Sequence, residues 1–161
     1  MDFKPLPIGI DNFEMLITRG YYFVDKTLMI KDLLDNKVAV NLFTRPRRFG
    51  KTLNMSMLQY FFEASNKDNS YLFKNLNIIE AGERYISHMG QYPVINISLK
   101  SAKQPTFELA YISIKRRIAE EYKRHEYILE SGELEREKER YLKISKEQGE
   151  EGDYIDSLYY L

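Results

Sequence analysis

The chain of 161 residues contains no cysteine. That excludes disulfides, a thiol nucleophile and any thiolate metal site, and it agrees with a reducing compartment. Histidine is nearly as scarce. His88 and His125 are the two present, neither accompanied by carboxylates at ligand spacing, so a histidine-based metal centre is not expected and both read as surface residues. Net charge is absent too, with 24 basic residues against 24 acidic. Composition therefore gives no argument for nucleic acid or a membrane surface as partner. Residues 1–100 hold 13 basic and 10 acidic side chains and residues 101–161 hold 11 and 14, a mild polarity short of a nucleic-acid footprint. No apolar run approaches the roughly 18 residues that span a bilayer. The opening "MDFKPLPIGI" lacks a basic stretch followed by an apolar one, so no signal peptide is expected. No Ser/His/Asp arrangement, internal repeat or low-complexity tract is present. A cytoplasmic chain with no membrane contact is the expectation.

What is present is an ordinary globular composition, 43% hydrophobic and 30% charged, long enough for one domain with a core. Pro5, Pro7 and Gly9 punctuate an entry segment. "YYFVD" (Tyr21 to Asp25) precedes a helical pattern in which Leu28, Ile30, Leu33 and Leu34 share a side and Asp25 is the N-cap. "KVAVNLF" (Lys37 to Phe43) is short, apolar and bounded by turn formers, which predicts a strand. Leu53, Met57, Leu58 and Phe61 then recur at helical intervals. "YPVINISL" (92–99) alternates with period two and predicts a second strand, with Ile95, Ile97 and Leu99 on its apolar face. Pro105 and Thr106 announce a long helix buried through Phe107, Tyr111, Ile114 and Ile118. A charged helix is expected at about 134–146, "EQGEEGD" as a loop, and a last helix from "YIDSLYYL". The thirteen tyrosines are scattered and suit packing better than base stacking. Strand, loop, helix, strand, helix in that order predicts an α/β fold.

Between the first strand and its helix lies "FTRPRRFGKTLN" (43–54). A phosphate-cradling loop reads G-x-x-x-x-G-K-[ST], leaves a strand and opens a helix whose amides face the anion. Gly50, Lys51 and Thr52 match its end, whereas Arg45 stands where the first glycine belongs. Chance supplies about 0.08 such tripeptides in a chain this long, so context must decide. One reading is a nucleotide site. Gly50 would let backbone approach phosphate, Lys51 would place a point charge between the β- and γ-phosphates, and Thr52 would offer its hydroxyl to Mg²⁺. Pro46 would stiffen the turn, and Arg47 and Arg48 would face phosphate or a partner. The other reading is a basic turn in which Gly50 merely meets loop geometry.

With these residues in view, "GYYFVDKTLMIKDLL", "VNLFTRPRRFGKTLNMSMLQYFF" and "YPVINISL" together resemble the bacterial AAA-ATPase-like family, predicted P-loop ATPases with a relaxed first-glycine position. The resemblance runs from about Leu6 to Leu161. It implies a P-loop NTPase-like core of parallel strands flanked by helices, incomplete at the C-terminus, with residues 1–161 its N-terminal part. It also implies ATP and Mg²⁺ as ligands, bound by Arg45, Pro46, Arg47, Arg48, Phe49, Gly50, Lys51 and Thr52, with Thr52 on the metal. Relatives carry an acidic (Walker B) strand beyond the region where this chain stops, so little hydrolysis is expected from it alone. They often add a nuclease-like domain of the PD-(D/E)XK type, and Phe23 and Val24 would border the base. The alternative from another class is a non-catalytic module whose arginine loop grips an acidic partner or nucleic acid.

Overall fold

The structure is a computed structural model and describes residues 4–46, 49–130, 134 and 136–161. It divides into two compact units between Val94 and Ile95. Among the described residues there are eight α-helices and no strand. The expected α/β core is therefore absent. Pairing is limited to one isolated parallel bridge between Glu63 and Tyr92.

The reason lies in what makes a strand. Period and apolarity describe how a segment would sit in a sheet, but a strand exists only through a ladder to a neighbour. Residues 37–46 have no such neighbour here, and Val40 and Leu42 are 83% and 84% exposed. In the second expected strand Tyr92 holds the bridge, Ile95 is exposed, and Leu99 begins a 3-10 turn, Leu99–Ala102. The Asn96 amide donates not to a strand but to Glu121 Oε2, at 3.0 Å.

The first unit holds α1 (Phe13–Thr18), α2 (Leu28–Asn36), α3 (Lys51–Phe62), α4 (Asn77–Glu80) and α5 (Glu83–Ile86). α1 escaped the sequence reading because six residues give too little periodicity. Its start is nevertheless well specified, since Asn12 accepts the Met15 amide at 2.8 Å and Ser56 Oγ of α3 accepts the Phe13 amide at 3.0 Å. The core joins Phe13, Ile30, Met57, Phe61, Phe73 and Ile78, with Leu53 and Leu58 packed against it. The α3 stripe is thus borne out. On α2 the stripe is shifted: Ile30 and Leu34 face the core, whereas Leu28 is exposed. At the end of α3 the carbonyls of Phe61 and Phe62, which no helical amide can reach, accept the amides of Gly90 and Tyr92.

Glu14 on α1 ties this unit from outside. Its carboxylate accepts from Lys67 Nζ, from Tyr71 Oη at 2.8 Å and from Tyr60 Oη at 3.1 Å. The Lys67 ammonium, then the Tyr71 hydroxyl, hold its carboxyl below the ordinary range against a smaller opposing effect of burial. A lowered carboxyl adds stability above its unfolded value and loses it as pH falls through the folded value. Glu14→Gln is therefore expected to cost about 1 kcal/mol at neutral pH and nothing in acid below the folded value. Urea denaturation of both proteins at the two pH values checks this; an equal cost at both would refute the linkage.

The second unit holds α6 (Phe107–Arg124), α7 (Lys138–Ser145) and α8 (Glu151–Ile155). Thr106 caps α6 as the sequence suggests, but Phe107 is 76% exposed and burial begins further along, at Ile118 and Tyr122. Tyr122, Tyr141, Ile144 and Tyr154 complete the core. Tyr122 and Tyr141 can fill it because their hydroxyls find partners: Tyr141 Oη donates to the Tyr122 carbonyl at 2.6 Å, and Tyr122 Oη to that of Ser157 at 2.7 Å. α8 starts inside the expected "EQGEEGD" loop because Glu150 and Asp153 form a capping box. His125 is not a surface residue. It is buried at the end of α6, with Nδ1 3.0 Å from Tyr127 Oη.

Candidate functional site

The loop of interest ends at a helix start, as a phosphate-binding loop must. Gly50 is the N-cap of α3, with φ 73° and ψ 17° in the left-handed region. Beyond its chain neighbours, no atom of the described residues lies within 4 Å of where a Cβ would sit, so glycine is favoured here by backbone conformation. A glycine cap has no side chain to bond the first amides. The Asn54 amide closes the first helical hydrogen bond to the Gly50 carbonyl at 2.8 Å. The amides of Lys51, Thr52 and Leu53 have no acceptor among the described residues. Unmet donors and the helix dipole together make an electropositive end.

Lys51 adds a full charge beside them. Its ammonium donates to the Arg45 carbonyl, so the side chain folds back across the loop and joins its two ends. Arg45, Pro46 and Lys51 line a depression of about 520 Å³ with Phe43 and Thr44. Arg45, Phe49 and Lys51 also line a second cavity of about 630 Å³, which reaches to α2. Thr52 is exposed on the first turn and is not among the residues lining either space. Arg47 and Arg48 lie outside the described residues. Among the described residues no group of three or more His, Cys, Asp or Glu is placed to hold a metal ion. The donor set here, amides and cations with one hydroxyl, suits a metal that arrives with its own anionic ligand.

Asp25, which could pass for the acid at the end of an apolar run, has other work. Oδ1 accepts the Thr27 amide at 2.8 Å and the Thr27 hydroxyl at 2.7 Å, while Oδ2 accepts the Asn77 amide at 2.7 Å. The carboxylate thus spans the starts of α2 and α4. The N-cap position itself is Thr27, two residues later than expected. Phe23 packs edge-on against Phe13 in the core and Val24 is exposed, so neither lines the cavity beside Lys51.

A family model described as "Predicted AAA-ATPase" matches residues 7–155. The chain belongs to that family. A curated relative from Azotobacter chroococcum mcd 1, named "Uncharacterized protein in vnfD 5'region", is 37% identical over 100 residues. That alignment covers 61% of this chain and 17% of the relative, so the chain spans a small part of that protein's length. No solved structure matches. Within this AAA-ATPase-like chain the features missed by sequence reasoning are on α2. Met29, Asp32, Leu33 and Asn36 line the larger cavity at i, i+3, i+4 and i+7. That spacing was legible, but the same helix carries a second apolar stripe toward the core, and the two overlap. No helix among the described residues is long and apolar enough to cross a membrane.

Proposed function

We propose that the chain binds the polyphosphate of Mg²⁺–ATP between the loop at Arg45–Pro46, Gly50 and the first turn of α3. The observation that carries the reading is the coincidence, at one helix start, of a left-handed Gly50, three amides without acceptors and the Lys51 ammonium. Phosphate oxygens would take the amides and displace the Arg45 carbonyl from Lys51, exchanging a neutral acceptor for a charged one. The Thr52 hydroxyl, unbonded to other described residues, would meet the metal that the phosphates bring. Bound Mg²⁺ would neutralise charge on the β- and γ-oxygens. Membership of a family of predicted ATPases supports the same reading. For a full-length relative the proposal extends to hydrolysis of the γ-phosphate by water.

The test is a titration with labelled ATP and Mg²⁺, comparing the parent with Lys51→Ala. The expected result is a loss of at least about tenfold in affinity, close to 1.4 kcal/mol, with unchanged circular dichroism. Equal affinity in the two, or no binding by a folded parent, would overturn the proposal.

A further inference from the structure

Residues 38–46 belong to no helix, and every one of them is exposed. Among the described residues the amides and carbonyls of 38–44 bond to no other residue, so both edges of this backbone are open. Its side chains alternate. Asn41, Phe43 and Arg45 line the larger cavity beside α2, whereas Val40 and Leu42 line neither space and are 83% and 84% exposed. Period two is the side-chain arrangement of a strand. The run therefore presents strand-like faces without a ladder, and an open edge bearing bare apolar residues is what proteins ordinarily pair or cover.

The two faces call for different chemistry in whatever lies alongside. Next to Val40 and Leu42 an added strand needs apolar residues, of which β-branched ones pack best. On its other face it runs beside the cavity, whose charged lining is Lys26, Arg45 and Lys51 against the single carboxylate of Asp32. Carboxylates at alternate positions complement that face. A second copy of the same segment does not, because residues 37–46 carry Lys37 and Arg45 and no acidic residue, and self-pairing brings cations to cations. We infer that residues 40–45 are a docking edge for an extended acidic segment of a partner protein, one that alternates carboxylates with β-branched residues and adds to this edge as a strand. Main-chain hydrogen bonds hold the added strand, Val40 and Leu42 pack against its apolar residues, and the three cations attract its carboxylates. None of this requires nucleotide, so the inference stands apart from the phosphate reading.

The probe is a fluorescein-labelled peptide, Glu-Val-Glu-Val-Glu-Val-Glu with blocked ends, titrated without nucleotide and followed by anisotropy. Saturable binding is expected, and added salt weakens it. The same peptide with lysine for glutamate is expected to bind at least about tenfold more weakly. Of two peptides methylated on alternate backbone amides, one set or the other, one loses at least about tenfold and the other keeps its affinity, because an added strand turns only every second amide toward its partner. Val40→Ser combined with Leu42→Ser, at positions too exposed to carry the fold, costs about tenfold with circular dichroism unchanged. No binding by the folded parent overturns the inference, as does equal binding of the lysine peptide or full affinity of both methylated peptides. A parent that sediments as a dimer, and that the two serines return to monomer, assigns the edge to a second copy and overturns it too.

Discussion

Asp25→Ala is expected to destabilise the chain by about 3 kcal/mol while leaving ATP affinity unchanged wherever the variant is still folded. Asp25 accepts three hydrogen bonds, two of them from the amides of Thr27 and Asn77. Those amides open α2 and α4, where no helical carbonyl can reach them and where a negative charge is favoured by both helix dipoles. Thr27 is fully buried, and its Oγ1 in turn accepts the Ile78 amide at 3.1 Å. Removing the carboxylate leaves two backbone donors unmet and frees the Thr27 hydroxyl that orders the third. Hydrogen bonds to a charged group contribute about 1.5–3 kcal/mol each, and part of that returns as water reaches the less buried amides. Urea denaturation measures the loss, and titration at low temperature measures the affinity. Stability equal to the parent's, or nucleotide affinity lost in a folded variant, would mean that Asp25 acts on the ligand and not on the fold.

Phe61→Ala carries the largest expected cost, about 3–5 kcal/mol, the usual range for deleting a buried phenylalanine. Phe61 is completely buried near the C-terminal end of α3. Its ring meets Phe62 at 5.0 Å and Phe73 at 5.3 Å, both edge-to-face, and Phe73 meets Phe13 at 5.2 Å. Alanine removes one member of a chain of rings that holds α1, α3 and residue 73 together, so the cavity it leaves cannot close without shifting a helix. The measurement is again the denaturation midpoint, with Phe61→Leu expected to retain most of the stability because it conserves most of the volume. A cost below about 1 kcal/mol for alanine would show that the core collapses around the deletion. Because Lys51 opens the same helix that Phe61 anchors, ATP affinity at physiological temperature is expected to fall in step with the folded fraction.

Helices with their own start and stop signals were readable from residues alone. Thr106 caps α6, and the α3 stripe of Leu53, Met57, Leu58 and Phe61 faces the core as its spacing says. α1, α4 and α5 were not readable, being four to six residues long and held by Asn12, Asp25 and the packing around Phe73. The N-terminal part of the loop illustrates the other limit. An apolar run such as "VAVNLF" states a conformational preference, and nothing in its own residues names a partner.

Local chemistry in the chain, read without coordinates, carried the resemblance to the family, the glycine and lysine at a helix start, and the absence of thiol chemistry. Those depend on residue type and near neighbours. Three-dimensional packing alone decided that the expected strands form no ladder, that Asp25 reaches the Asn77 amide 52 residues away and so joins the starts of α2 and α4, and that α2 turns Asp32 and Asn36 toward the cavity that Lys51 also lines. Each of those is a meeting of distant segments, and its free energy comes from surfaces and hydrogen bonds that do not exist until both segments are in place.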